Sequence, residues 1–257
     1  MEKLNNLLKT QKNLLSVYFT AGYPKLNSTL PVLEALEAGG ADFVEIGMPY
    51  SDPLADGPVI QQSSKQALDN GMSINLLFEQ LQNISTNVTM PLILMGYLNP
   101  ILRFGMEAFL EKCKETGING LIIPDLPYES YAEEYESLFS EFEISNIFLI
   151  TPQTPEERIQ KLDKASTTFL YMVSSAAVTG ARDGLSDQQI EYFERINDMN
   201  LRTPRMVGFG ISNHQTFSQV CEYAHGAIVG SAFIKHLGPN EEDPESIKAF
   251  IQQLKEG

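Results

Sequence analysis

Tryptophan is absent from the 257 residues, cysteine occurs twice and histidine three times. For so rare a residue, chance accounts for the missing tryptophan. Cys113 and Cys221 lie far apart and form neither a metal-ligand spacing nor a redox pair. Both fall in helical patterns, EAFLEKCKE and FSQVCEY, where a small core residue is the plain reading. His214, His225 and His236 do not converge on a ligand spacing, so no metal site is expected. No lysine stands inside a strand-like run, which leaves Schiff-base chemistry without a candidate, and neither a serine elbow nor a Cys–His arrangement is present. No apolar run approaches the ~18 residues needed to span a bilayer. The N-terminal MEKLNNLLKTQKN is polar and amphipathic and lacks the apolar block of a signal peptide. A soluble, cytoplasmic chain with no membrane partner is expected.

Positive charge is also scarce. Eighteen basic side chains face 33 acidic ones, a formal net charge of −15, so there is no electrostatic footprint for a nucleic-acid backbone. An anionic substrate would have to be held locally, by backbone N–H groups or a few placed side chains. With 43% apolar and 20% charged residues, the chain has enough apolar material for a core.

What is present is a regular alternation. Strand-length apolar runs occur at Leu14–Thr20, Asp42–Gly47, Pro91–Tyr97, Gly120–Asp125, Asn146–Thr151, Thr168–Val173, Arg205–Gly210 and Gly226–Gly230. Most are near-continuous in apolar residues, as strands covered on both faces of a parallel sheet should be. Helical patterns lie between them, at Ser28–Gly39, Ser73–Asn87, Gly105–Thr116, Ser130–Phe142, Pro155–Lys164, Asp187–Met199, Asn213–Tyr223 and Pro244–Leu254. Eight strands alternating with eight helices predict an α/β fold, a (β/α)8 TIM barrel with an added N-terminal helix. No linker or composition shift interrupts 1–257, which predicts one domain. An open doubly wound sheet would more often carry a glycine-rich turn after its first strand, and Thr20-Ala21-Gly22-Tyr23-Pro24 is not that fingerprint. Two intervals exceed a plain βα loop, Gly47 to about Gly71 after the second strand and Ser174 to about Asp187 after the sixth. Barrel enzymes build their sites from such loops.

Two carboxylates stand out. Glu45 lies in Phe43-Val44-Glu45-Ile46-Gly47, where a buried carboxylate is either paired or kept partly protonated by desolvation. A structural ion pair or a solvated strand end remains open. Asp52 and Asp56 lie in a segment whose three prolines and one glycine fix much of the backbone, although Asp before Pro or Gly is also ordinary turn chemistry. A desolvated Glu45 and a more solvated Asp56 fit the usual division between proton donor and ionised partner. Glycine-rich turns at Val178-Thr179-Gly180, Gly208-Phe209-Gly210 and Gly230-Ser231 follow the last three strands, and a helix starting near Ser231 would aim free N–H groups at an anion. Together they suggest a phosphate ester, bound by backbone dipoles in an acidic protein. Tyr171, in Phe169-Leu170-Tyr171-Met172, is either a third polar group or a core aromatic.

The stretch Phe43-Val44-Glu45-Ile46-Gly47-Met48-Pro49-Tyr50-Ser51-Asp52-Pro53-Leu54-Ala55-Asp56-Gly57-Pro58-Val59-Ile60-Gln61 resembles the signature of the tryptophan synthase α subunit family. Tyr18-Phe19-Thr20-Ala21-Gly22, Met95-Gly96-Tyr97-Leu98-Asn99-Pro100, Pro124-Asp125-Leu126-Pro127, Val178-Thr179-Gly180 and Gly208-Phe209-Gly210-Ile211 agree in order, so the resemblance covers essentially the whole chain. It implies retro-aldol cleavage of indole-3-glycerol phosphate to indole and glyceraldehyde 3-phosphate. Glu45 matches the acid–base glutamate and Asp56 the aspartate that accepts the indole N–H. Tyr171 matches a tyrosine beside the glutamate, and Tyr18 stands in the indole pocket where the family often has Phe. The backbone of Gly180, Gly210, Gly230 and Ser231 matches the substrate phosphate site, and Thr179 a substrate-binding position. The resemblance further implies an α2β2 heterotetramer in which a β subunit carries pyridoxal phosphate, none binding to this chain. Asp52, Asn99 and Pro100 match partner-contacting positions. A standalone indole-3-glycerol phosphate lyase on the same scaffold is the alternative. The sequence departs from the family at Ser175, where some members carry Arg, and at Ala177, where Gly is common; altered closure of that loop is expected.

Overall fold

Residues 14–20 form a strand buried along its whole length. Its side chains alternate between two environments, as the period of two in a strand dictates. Leu15, Val17 and Phe19 join the layer between sheet and helices, whereas Leu14 and Tyr18 join the cluster inside the barrel. The same alternation recurs on the neighbouring strands. The computed structural model describes residues 2–53, 56–82, 84–174, 184–208, 210–240 and 242–257. Among them the strands are β1 (Leu14–Thr20), β2 (Phe43–Gly47), β3 (Leu92–Met95), β4 (Ile118–Ile122), β5 (Ser145–Asn146), β6 (Phe148–Ile150), β7 (Leu170–Val173), β8 (Arg205–Gly208) and β9 (Gly226–Val229). All their pairings are parallel, in the order β5-β4-β3-β2-β1-β9-β8-β7-β6.

The two ends of that order are joined by a single residue. The Ile147 N–H donates to the Leu121 carbonyl at 2.9 Å, continuing the pairing of β4 with β5, and Phe148 then pairs with Leu170 of β7. The sheet therefore rings a barrel. The fifth predicted strand, Asn146–Thr151, is realised as β5 and β6, because the chain changes partner at Ile147.

The helices are α1 (Glu2–Thr10), α2 (Thr29–Gly39), α3 (Pro58–Asp69), α4 (Ile74–Leu81), α5 (Leu98–Phe104), α6 (Met106–Glu115), α7 (Tyr128–Ser130), α8 (Glu136–Glu141), α9 (Glu156–Ala165), α10 (Asp187–Asp198), α11 (His214–Cys221), α12 (Ser231–Asn240) and α13 (Pro244–Glu256). Three sequence expectations need correction. The interval after β2 is only partly loop: Pro58 takes the first helical position, and Ile60, Ser63, Ser64 and Ala67 form the buried face of α3. The helix expected over Ser130–Phe142 is broken by a π-helical turn at Tyr131–Tyr135 between α7 and α8. The helix expected over Ser73–Asn87 ends at Leu81, and a 3-10 turn follows at Ile84–Thr86. Helices α3 and α5, in the loop after β2 and directly after the third strand, were not expected as separate elements.

Helix α1 seals the N-terminal end of the barrel. Leu4 and Leu8 lie in the interior cluster with Leu14, Phe43, Ile93, Ile122, Phe169, Met206 and Ile228. The Phe43 and Phe169 rings meet at 5.8 Å between centroids. Above this apolar floor, toward the C-terminal strand ends, the interior turns polar.

Candidate active site

Glu45 is fully buried on β2, in register with Tyr18 of β1 and Ile93 of β3. Its Oε1 accepts a long hydrogen bond from Ser16 Oγ, 3.4 Å, and its Oε2 has no partner among the described residues. Burial pushes the carboxyl up to about 8, against the opposing pull of the Ser16 hydroxyl. Glu45 is therefore mostly protonated at neutral pH. A group balanced this close to pH 7 can both give and take a proton, the condition that favours general acid–base catalysis.

Asp56 sits on the turn leading into α3. The turn is fixed by its own N–H donating to the Pro53 carbonyl at 3.1 Å, and by Gln61 Nε2 donating to the Asp56 carbonyl at 2.9 Å. The Tyr97 hydroxyl donates to Asp56 Oδ2 at 3.0 Å. Burial raises this carboxyl above its ordinary value, and the Tyr97 hydrogen bond offsets only part of that rise. The two carboxylates thus differ as the sequence suggested, Glu45 in a drier place than Asp56.

Two phenols feel the charge of both carboxylates. Tyr18 is held neutral by burial and then by the charge of Asp56, with Glu45 adding to it, while a hydrogen bond with Thr20 opposes. Tyr171 on β7 is held neutral by burial, then by Glu45, Asp56 and Tyr18. These mutual influences place all four groups in one space. Both phenols depend on glycine. A Cβ on Gly47 would overlap the Tyr18 hydroxyl, and a Cβ on Gly208 would overlap that of Tyr171. The main chain at the ends of β2 and β8 leaves room that no other residue would leave.

Tyr18 also borders the glycine turns. Its Cβ lies 3.5 Å from where a side chain on Gly230 would begin. Gly230 precedes α12, whose first residue, Ser231, is exposed, and Ile234 N–H donates to the Gly230 carbonyl at 3.0 Å. The leading N–H groups of such a helix have no intrahelical acceptor and suit an anion. Gly210, with φ +83°, lies just past β8. Thr179 and Gly180 lie outside the described residues, as do Ser175 and Ala177. Asp52 is exposed and accepts from Ser51 Oγ at 2.6 Å. Asn99 is exposed and Pro100 half-buried in the first turn of α5. Two open cavities, of about 520 and 220 Å³, lie elsewhere, one beside His214 and Lys255 and the other against residues 123–128 and 146–149. Neither holds the carboxylates.

Sequence reasoning gave no role to Ser16 or Tyr97. Ser16 is one of three hydroxyl residues in the run LLSVYFT, and nothing in the run sets it apart. Tyr97 had no signal of its own, because its contact with Asp56 spans 41 positions. The carboxylates, by contrast, announce themselves by their surroundings in the chain.

The chain matches the family model described as tryptophan synthase alpha chain over residues 4–256. It is 54% identical over 255 residues to the tryptophan synthase alpha chain of Flavobacterium johnsoniae, covering 99% of this chain and 100% of the relative. A chain of Mycobacterium tuberculosis tryptophan synthase superposes with TM-score 0.88 at 31% identity, over 98% of this chain and 96% of that one. A chain of the tryptophan synthase complex of Pyrococcus furiosus gives TM-score 0.84 at 34% identity, over 95% and 98%. With a barrel of the same form and near-complete coverage in each case, the chain belongs to the tryptophan synthase alpha chain family.

Proposed function

We propose that this chain cleaves indole-3-glycerol phosphate to indole and glyceraldehyde 3-phosphate and passes the indole to a β subunit for L-tryptophan synthesis. The observation that carries the reading is the pair of unlike carboxylates, a buried Glu45 with one oxygen unpartnered among the described residues and an Asp56 held by Tyr97.

The protonated Glu45 delivers its proton to C3 of the indole ring, which leaves the ring as an iminium cation. The ionised Asp56 accepts the ring N–H and balances that charge. The Glu45 carboxylate then takes the proton of the side-chain hydroxyl on the carbon attached to C3. The C–C bond breaks, its electron pair returns to the ring, and the hydroxyl carbon leaves as the aldehyde. One proton is given and one regained, so Glu45 ends as it began. Tyr18 lines the indole pocket and Tyr171 borders Glu45. Thr179, Gly180, Gly210, Gly230 and Ser231 hold the phosphate by backbone and hydroxyl donors, which suits an acidic chain with few cations to spare. No cofactor resides on this chain; pyridoxal phosphate belongs to the β subunit. Asp52, Asn99 and Pro100 face that subunit in an α2β2 heterotetramer. Residues 1–257 act as one barrel domain in the cytoplasm, and no helix among the described residues is long and apolar enough to cross a membrane.

The test is release of indole from indole-3-glycerol phosphate by the purified chain, alone and with a β subunit added. Slow release that rises strongly with the partner is expected. Fast release by the chain alone would replace this reading with a standalone lyase, and no release in either case would overturn the substrate.

A further inference from the structure

Ser16 is fully buried on β1, in register with Phe43 of β2 and Ile228 of β9. It lies one inward position below Tyr18, at the boundary between the apolar floor and the polar site. A hydroxyl there has lost water, and burying it without a partner would be costly. Among the described residues the partner it finds is Glu45 Oε1. Glu45 Oε2 is left unpaired in the same space. The two oxygens of one carboxyl thus have different surroundings, and a serine accounts for the difference.

We propose that Ser16 is a positioning residue for Glu45: its hydroxyl holds Oε1 at the floor of the site, leaves Oε2 to exchange protons with substrate, and stabilises the ionised form in which Glu45 takes a proton back. The proposal rests on the acid–base reading of Glu45. The competing influences are few. Tyr18 from β1 and Tyr171 from β7 face Glu45 as neutral phenols, and Asp56 reaches the same space from the loop after β2. Strands β3, β4, β8 and β9 send Ile93, Ile122, Met206 and Ile228 inward, and α1 contributes Leu4 and Leu8. None of these six hydrogen-bonds a carboxylate. The Ser16 hydroxyl is a neutral donor, and a donor to the charged form favours that form.

The experiment follows the Glu45 carboxyl directly. The full-length chain, labelled with carbon-13 at glutamate side-chain carboxyls, is titrated by NMR, and the Glu45 signal is assigned as the one missing from Glu45→Gln. In Ser16→Ala the midpoint is expected to rise by roughly half to one pH unit, a shift set by the length of the hydrogen bond. In Ser16→Thr, which keeps the hydroxyl, the midpoint returns to that of the wild type. The pH profile of indole release in the complex with β subunit moves in parallel. An unchanged midpoint in Ser16→Ala, or a slower rate with no movement of the profile, would overturn the proposal and leave Ser16 a packing residue. Retained turnover in Glu45→Gln would overturn the acid–base reading alone, since the carboxyl titration reads Ser16 without it.

Discussion

At the scale of the residue, Glu45 puts catalysis and stability in opposition. Positioned general acids and bases contribute ~10²–10⁴-fold, so Glu45→Gln should lower indole release by at least that factor while substrate still binds. Steady-state turnover alongside equilibrium binding checks both halves. The same substitution should stabilise the fold, and more so as the pH rises. The folded carboxyl is raised from 4.5 to about 8, so the folded chain holds a proton that the unfolded chain has released across that interval. Stability from this group is complete below the unfolded value and is lost as pH climbs through the folded one. Glutamine has no proton to lose. Its stability advantage over the wild type should therefore widen between about pH 5 and pH 9, reaching a few kcal/mol on a linkage estimate, which Tm measured across that range would follow. A pH-independent difference would mean that Glu45 ionises freely. These carboxylates were legible in the sequence because each breaks a local pattern, a charge inside an apolar strand and an acid inside a proline-rich turn. Ser16 and Tyr97 were not, because their roles lie in contacts 29 and 41 positions away.

At the scale of the element, α1 closes the floor on which the site stands. Leu8 is 2% exposed in the interior cluster. Leu8→Ala removes buried methyl groups and leaves a hole between helix and barrel, at a cost of about 2–5 kcal/mol. Urea unfolding should show a lower midpoint at unchanged m, and a loss below about 1 kcal/mol would mean that the helix merely rests on the barrel. Element boundaries were the least legible part of the chain. The fifth strand reads as one apolar run in the sequence, and the change of partner at Ile147 is made by neighbours on β4 and β7. Helix α3 was hidden in a segment whose prolines and glycines read as loop, although Pro58 marks its start. The π-helical turn at Tyr131–Tyr135 carries no marker in the sequence, since an α-helical period absorbs one extra residue without trace.

At the scale of the whole molecule, the charge balance dominates. A net charge of −15 repels itself in the folded state. Raising salt from about 10 to about 150 mM shortens the screening length to ~8 Å. Relief of about 1 kcal/mol would raise Tm by ~2–4 °C for a chain of this size, measurable by scanning calorimetry. A fall in Tm would mean that attractive pairs such as Lys255–Asp42 outweigh the repulsion. The barrel itself was legible from the alternation of apolar runs with helical patterns, because covering both faces of a parallel sheet leaves little freedom in composition.

The two glycines beneath the phenols carry that constraint into the history of the chain. Gly47 and Gly208 have no side chain of their own to select, yet each is tied to a tyrosine on an adjacent strand by the volume they share. Neither glycine can drift alone. A methyl group at Gly47 becomes tolerable only after Tyr18 has given up its ring, whose carbons as well as the hydroxyl would overlap it, and Gly208 waits in the same way on Tyr171. A library that randomises only the glycine of a pair should return glycine or failure. One that randomises both should recover alanine only opposite a side chain smaller than an aromatic ring. The shape of the pocket is thus inherited as two linked couples, and the unit on which selection acts is the couple.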